Sequence, residues 1–303
     1  MSKFKNIQFI INPVSGISRP ILQPLTKALQ AAPWQWDIAV TKKAEEATEL
    51  TQKAINAKVD AVAVVGGDGT VMEVTSQLVG TEIPLIILPT GSANILAVET
   101  GIPTNFLKVL EFVYKSRYKI RKIDMGRIGS HYFLLRLSSG FEAEIVKAAD
   151  RSLKSKVGWL AYAFSGFKAL LSTKPTVYQF NLDGKEVECE GVSYVIANSG
   201  NIGLPGISFS PKIKVDDGLL DVLIIRAADL KRLFAAVAEK RDQDIVSEFF
   251  QHWQVRNVSV KANPTQTIQC DGEIWHERNI NIEIVPQALN IVVPRRYSYF
   301  NNI

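Results

Sequence analysis

The sequence predicts a two-part chain, an α/β Rossmann-like nucleotide-binding half followed by an antiparallel β-sandwich, and three observations predict it. From residue 1 to about 125, short β-branched runs alternate with segments of helical period, as in a parallel sheet with crossover helices. After Asp124 strand-like runs follow one another closely, the pattern of an antiparallel sandwich or barrel. The chain has 303 residues, room for two domains of ordinary size.

Ile7 to Ile11 is apolar on both faces, as a buried parallel strand should be, and Ile21, Leu22, Leu25 and Leu29 then recur at helical spacing. Val59 to Val65 and Leu85 to Leu88 repeat the strand signal, each ending at a glycine-rich turn, and Phe106, Leu110, Val113 and Tyr114 form another helical stripe. The later strands are expected at Phe133 to Ser138, Thr176 to Leu182, Val192 to Ala197, Leu219 to Ile225, Gln254 to Lys261, Thr265 to Cys270, Asn279 to Val285 and Asn290 to Val293. Helical insertions are expected at Glu142 to Leu171 and Leu230 to Phe250. The expected domains are 1–125 and 126–293, with a tail of about 294–303 that returns to the first domain.

Hydrophobic residues make up 47% and charged residues 21%, which excludes disorder as the main state. The two cysteines, Cys189 and Cys270, and the three histidines, His131, His252 and His276, show no metal-ligand spacing, so neither a disulfide scaffold nor a zinc site is expected. A reducing, cytoplasmic compartment fits that usage. Apolar runs such as Ala61 to Val65 fall far short of the roughly 20 residues a bilayer crossing needs. Ile7 to Ile11 ends at Asn12-Pro13 without a small-residue cleavage site, unlike a secretory signal. The net charge of +5 favours an anionic partner, and no nucleic-acid motif accompanies it.

Three turns follow predicted strands of the first half: Asn12-Pro13-Val14-Ser15-Gly16, Gly66-Gly67-Asp68-Gly69-Thr70 and Pro89-Thr90-Gly91-Ser92-Ala93-Asn94. The carboxyl ends of parallel strands open on one edge, so these turns converge on one ligand. Glycine lets backbone approach a phosphate, amides at helix starts donate to its oxygens, and Ser15, Thr70 and Ser92 add hydroxyl donors. The expected ligand is a nucleoside triphosphate. Each turn taken alone reads equally well as a tight strand-to-helix connection. No Gly-x-x-x-x-Gly-Lys-Ser/Thr sequence and no protein-kinase set occurs.

Asn-Pro-x-Ser-Gly, Gly-Gly-Asp-Gly-Thr and Pro-x-Gly-Ser-x-Asn, in this order, resemble the diacylglycerol kinase catalytic-domain family, which includes bacterial lipid kinases and sphingosine kinases. The likeness extends through Gly69 to Val74, which implies Glu73 as a nucleotide-binding residue, through Ala93-Asn94-Ile95-Leu96-Ala97, and to Asp271-Gly272-Glu273. It implies an α/β nucleotide domain joined to a β-sandwich. It also implies a magnesium role for Asp68, whose carboxylate would otherwise repel phosphate; capping a helix that starts near Thr70 is the other reading. Glu273 is implied as the general base that takes the proton of an acceptor hydroxyl, beside the plainer reading of Asp-Gly as a type I′ hairpin turn. Asp124 matches an acidic position at the family's domain junction, where it holds metal or water or is a solvated hinge residue. Asp216, Asp217 and the Leu219 carbonyl resemble a structural cation loop of bacterial members, and also read as an ordinary turn.

Some positions depart from the family pattern. Ile17 follows Gly16 where many members carry lysine, Met72 replaces a frequent asparagine, and Ile95 stands where many have aspartate. The expected reaction is transfer from ATP, with Mg2+, to a hydroxyl of a diacylglycerol-like or sphingoid lipid. The expected partners are ATP, a lipid met peripherally at the inner membrane surface and, as an assembly, a homodimer. Lys154, Lys156, Trp159, Phe164, Phe167 and Lys168 mix basic and aromatic residues, as an interfacial helix or a solvated helix with an aromatic core face would. NAD kinase, which shares Gly-Gly-Asp-Gly, and a non-catalytic nucleotide or lipid sensor stay open as alternatives.

Overall fold

The computed structural model describes residues 4–15, 21–140, 175–204, 207–229, 249–275 and 280–295. The chain divides into two compact units, Met1–Asp124 with Gln287–Ile303, and Met125–Pro286. The return to the first unit therefore begins at Gln287, seven residues ahead of the expected 294.

In the first unit, β1 (Asn6–Ile11), α1 (Leu22–Gln30), β2 (Gln35–Val40), α2 (Glu46–Asn56), β3 (Ala61–Gly66), α3 (Asp68–Leu78) and β4 (Leu85–Pro89) alternate. They are followed by α4 (Ile95–Glu99), α5 (Phe106–Tyr114) and the start of β5 (Tyr118–Ile128). The sheet order is β2-β1-β3-β4, all parallel, and Ile291 in the chain's last strand pairs beside Leu85. Every residue of β3 and β4 is buried, which is why both read as continuous apolar runs. Leu25 and Leu29 of α1, Val71, Val74 and Leu78 of α3, and Val109, Leu110 and Val113 of α5 supply the helical layers of the core. β2 escaped the sequence pattern because it is the edge strand and none of its residues is fully buried.

The second unit carries β6 (His131–Phe133), β7 (Arg136–Gly140), β8 (Thr176–Leu182), β9 (Lys185–Gly191), β10 (Ser193–Ala197), β11 (Asn201–Leu204), β12 (Ile207–Ser208) and β13 (Leu220–Ile225). β14 (Phe250–Val255), β15 (Asn257–Asn263), β16 (Ile268–Cys270), β17 (Glu273–Trp275) and the part of β18 (Ile280–Pro294) before Gln287 complete the set. A six-stranded antiparallel sheet runs β14-β13-β10-β7-β16-β17. A second layer pairs β9, β8, β15 and the first part of β18, also antiparallel. Alternate residues of β8, Tyr178, Phe180 and Leu182, join Tyr194, Ile196, Val222, Val258, Val260 and Ile282 in one core. Tyr194 packs edge-on against Tyr178 and Phe180 with ring centroids 5.2 and 5.7 Å apart. On the other face of the six-stranded sheet Val195, Ala197, Phe209, Ile213 and Leu223 form a smaller cluster. Asp221, also fully buried, meets His252 Nε2 at 2.6 Å.

Several strand boundaries differ from the expected ones for identifiable reasons. Gln254 to Lys261 is two strands, because the carboxylate of Asp183 takes the amides of Arg256 (3.0 and 3.1 Å) and Asn257 (2.7 Å) and the chain changes sheets there. Phe133 to Ser138 breaks at Leu134-Leu135, whose amides bond to Asp271 instead of a neighbouring strand. Asn279 to Val285 and Asn290 to Val293 fuse into β18. β9 was not expected, since its three glutamates hide a strand that is exposed on one side. Phe250 opens β14 and is not the end of a helix. The helical insertion expected at Glu142 to Leu171, and all but the last two residues of the one at Leu230 to Phe250, lie outside the described residues, as does the basic-aromatic stretch from Lys154 to Lys168.

Candidate active site

All four leading strands of the first unit run the same way, so their carboxyl ends stop on one edge. The residues that follow them are Thr41 after β2, Asn12 after β1, Gly67 after β3 and Thr90 after β4. The three turns singled out in the sequence are tied into one body by hydrogen bonds. Asn12 Nδ2 donates to Thr70 Oγ1 at 2.9 Å, and the Asn12 Oδ1 accepts from the Val14 amide at 3.1 Å. The Thr90 amide donates to the Gly66 carbonyl at 3.0 Å. Asn94, in the left-handed region at φ 49, turns its side chain back to accept from the Gly91 amide at 2.9 Å and donate to the Gly91 carbonyl at 2.8 Å.

Asp68 supplies the third tie. Its Oδ1 accepts from the Ile95 amide at 2.7 Å, the first residue of α4. The sequence allowed Asp68 to cap its own helix near Thr70, but α3 begins at Asp68 itself, Gly67 is its N-cap, and the carboxylate bonds across to the third turn. Burial pushes the Asp68 carboxyl above its ordinary value, against the downward pull of the Ile95 amide and its neighbours.

The glycines are required by contact between backbones. A Cβ on Gly91 would stand 2.6 Å from the Gly67 Cα, and one on Gly67 would stand 3.0 Å from Ser15 Oγ. Gly91→Ala is therefore expected to force the second and third turns apart, a strain of about 1–3 kcal/mol, read as a weaker dissociation constant for an ATP analogue with little change in far-ultraviolet circular dichroism. Unchanged nucleotide affinity would show that the close approach of these turns does not shape the site.

Other expected site residues fall as follows. Thr70 is buried, Ser92 is exposed, and the Thr90 Oγ1 is buried with no hydrogen-bond partner among the described residues. Gly16 lies outside the described residues. Glu73 Oε2 accepts from the Ala47 amide of α2 at 3.2 Å. Asp124 is 1% exposed and accepts from the Gln287 amide at 2.7 Å, so it is no solvated hinge residue; it fastens the returning strand. Glu273, exposed, opens β17 in the second unit, directly after a turn with Asp271 at φ 46 and Gly272 at φ 92. Those signs make a type I′ hairpin, as Asp-Gly favours.

Asp216 and Asp217 are exposed, and Asp217 Oδ1 accepts from the Leu219 amide at 3.1 Å. Among the described residues no group of three or more His, Cys, Asp and Glu side chains could hold a metal ion.

Two contributions were missed in the sequence. Thr41 is buried at the same strand edge, and its amide donates to the Ile11 carbonyl at 2.9 Å; the unrecognised β2 concealed it. Asp271 accepts three amides, from Leu134 (2.6 Å), Leu135 (3.0 Å) and Arg136 (2.9 Å), and so clamps the hairpin that carries Glu273.

Residues 6–128 match the family model for the diacylglycerol kinase catalytic domain, and residues 136–293 match that for the YegS C-terminal NAD kinase beta sandwich-like domain. A relative named diacylglycerol kinase from Bacillus subtilis (strain 168) is 27% identical over 276 residues, covering 89% of this chain and 90% of its own. One named probable lipid kinase YegS-like, from Chromohalobacter salexigens, is 29% identical over 263 residues, 85% of this chain and 83% of its own. An uncharacterised protein of Synechocystis sp. is 30% identical over 236 residues, 76% of this chain, and the match spans 54% of that longer relative. A solved structure from Bacillus anthracis str. Sterne, provisionally named a diacylglycerol kinase, superposes with a TM-score of 0.82 at 26% identity, covering 97% of this chain and 98% of its own.

Proposed function

The chain belongs to the diacylglycerol kinase catalytic-domain family, and from that premise we propose that it is a lipid kinase transferring the γ-phosphoryl group of ATP to a hydroxyl of a diacylglycerol-like or sphingoid lipid. The observation that carries the reading is the body of three turns, locked by Asn12, Asp68 and Asn94, at the open edge of a parallel sheet. The Thr90 hydroxyl, which has no partner among the described residues, is a donor for a phosphate oxygen, and Gly67 and Gly91 let backbone approach the phosphates.

Asp68 is the carboxylate for a divalent cation. Its Oδ1 accepts from the Ile95 amide, and one carboxylate plus substrate phosphates is an ordinary magnesium environment. Bound there with the triphosphate, Mg2+ would neutralise charge on the phosphate oxygens. Glu273 is the group we assign as base: its carboxylate takes the proton of the acceptor hydroxyl as that oxygen bonds to the γ-phosphorus and the bond to the β-phosphate oxygen breaks, releasing ADP. The acceptor is met at a membrane surface.

The test is transfer from labelled ATP with Mg2+ into mixed micelles of diacylglycerol or sphingoid lipid and, separately, into NAD. Label in one lipid class is expected, and Glu273→Gln should lower turnover by roughly 100-fold or more. Label in NAD would replace the proposal with the NAD kinase reading; full turnover by Glu273→Gln would remove the assigned base.

A further inference from the structure

We propose that Glu73 is a positioning residue that sets nucleotide affinity by holding the segment Thr41–Glu45, the fourth strand end on the phosphate edge, in place. The inference rests on the nucleotide reading above and replaces direct nucleotide contact as the role of this glutamate.

Helix α2 lacks a cap of its own. Its N-cap, Glu45, sits in the left-handed region at φ 64 and makes no side-chain capping bond. A helix start leaves its first amides without intrahelical partners. One of them, that of the fully buried Ala47, is taken by Glu73 Oε2 at 3.2 Å, from the second turn of α3. The first turn of that same helix carries Asp68 and Thr70. The cap therefore joins the start of α2 to the helix that presents the phosphate turn.

The segment before α2 is equally defined. Thr41 is pinned by its amide to the Ile11 carbonyl, the last residue of β1. The amides of Lys42 and Lys43 both donate to Glu46 Oε2, at 2.5 and 3.3 Å, and the Lys42 bond above all holds the Glu46 carboxyl below its ordinary value. With one end on β1 and the other on α3, the segment keeps a fixed position beside Asn12 only while Glu73 holds the α2 start. A side chain that bonds one helix start to another helix, at the level of the site, couples the fourth strand end to the other three.

The experiment measures binding of a fluorescent ATP analogue to wild type, Glu73→Gln and Glu73→Ala, with amide hydrogen exchange over residues 41–47. Glu73→Ala should weaken binding about tenfold, the loss of one well-placed hydrogen bond, with kcat at saturating ATP little changed and exchange at Ala47 accelerated. Glu73→Gln keeps an oxygen acceptor and should restore both. Faster exchange at Ala47 with unchanged analogue affinity would overturn the inference, leaving a purely structural cap. Weak binding by Glu73→Gln with normal exchange would overturn it in favour of direct contact between the carboxylate and the nucleotide. No binding by wild type would overturn the nucleotide reading itself, and this inference with it. If Glu73→Ala does not fold, Glu73→Asp, one methylene short, makes the same comparison.

Discussion

Asp68→Asn is expected to reduce phosphoryl transfer by a factor on the order of 100 to 1000 while leaving the fold intact, the size of effect seen when one preorganised electrostatic contact to a reacting group is lost. The reasoning separates two jobs of one carboxylate. The Asn amide oxygen can still accept from the Ile95 amide, the bond that now measures 2.7 Å, so the tie between the second and third turns survives. What asparagine cannot supply is negative charge for a cation shared with the triphosphate. Asp68→Ala removes both jobs, and it should add a loss of nucleotide affinity to the loss of turnover. The check is turnover with labelled ATP beside analogue binding for each variant. Asp68→Asn retaining more than about a tenth of wild-type turnover would refute the cation role.

Asp271→Ala is expected to destabilise the second unit by roughly 3 kcal/mol or more, since three backbone donors lose their acceptor at about 1–3 kcal/mol for each that stays dry. For a chain of this size that corresponds to a fall in melting temperature of about 6–12 °C. The amides of Leu134 and Leu135 have no strand partner to fall back on, because the chain bends there between β6 and β7. Asp271→Asn should be intermediate: one oxygen still serves Leu135 and Arg136, but an NH2 group faces the Leu134 amide.

The pH dependence of this effect has a definite sign. Burial pushes the Asp271 carboxyl above its ordinary value, and the three amides pull it back only in part. A group raised in the folded state binds its proton more readily there than in the unfolded chain. Its contribution to stability is full below the unfolded value and is lost as pH rises through the folded one. The stability gap between wild type and the non-titrating Asp271→Asn should therefore narrow from acid pH towards neutrality, as read by denaturant unfolding. A gap that widens would mean that the amides outweigh burial. Because Glu273 opens the strand after this turn, the same substitutions should also lower turnover.

The parallel sheet, the turn sequences and the antiparallel second half were all legible in the residues. Continuous apolar runs such as Ala61 to Gly66 and Leu85 to Pro89 appear only where both faces of a strand are covered, and here every residue of both strands is buried. Glycine and small polar residues at the ends of those runs marked the turns, because close backbone contact tolerates little else at Gly67 and Gly91. The half-exposed strands β2 and β9 did not show, since an edge strand needs no apolar run.

Partner choice belonged to the tertiary structure. Asp68 lay open to capping its own helix, yet it bonds 27 residues away to Ile95; Asp271 looked like a turn residue and holds amides 135 to 137 residues before it. Asp124 pins a strand 163 residues later, and Glu73 caps a helix start 26 residues earlier. Periodicity and turn chemistry act over a few neighbouring residues, so a sequence displays them directly. A buried carboxylate bonds to whichever amide the packed chain leaves without a partner, and which amides those are is decided only when the strands and helices have closed around them.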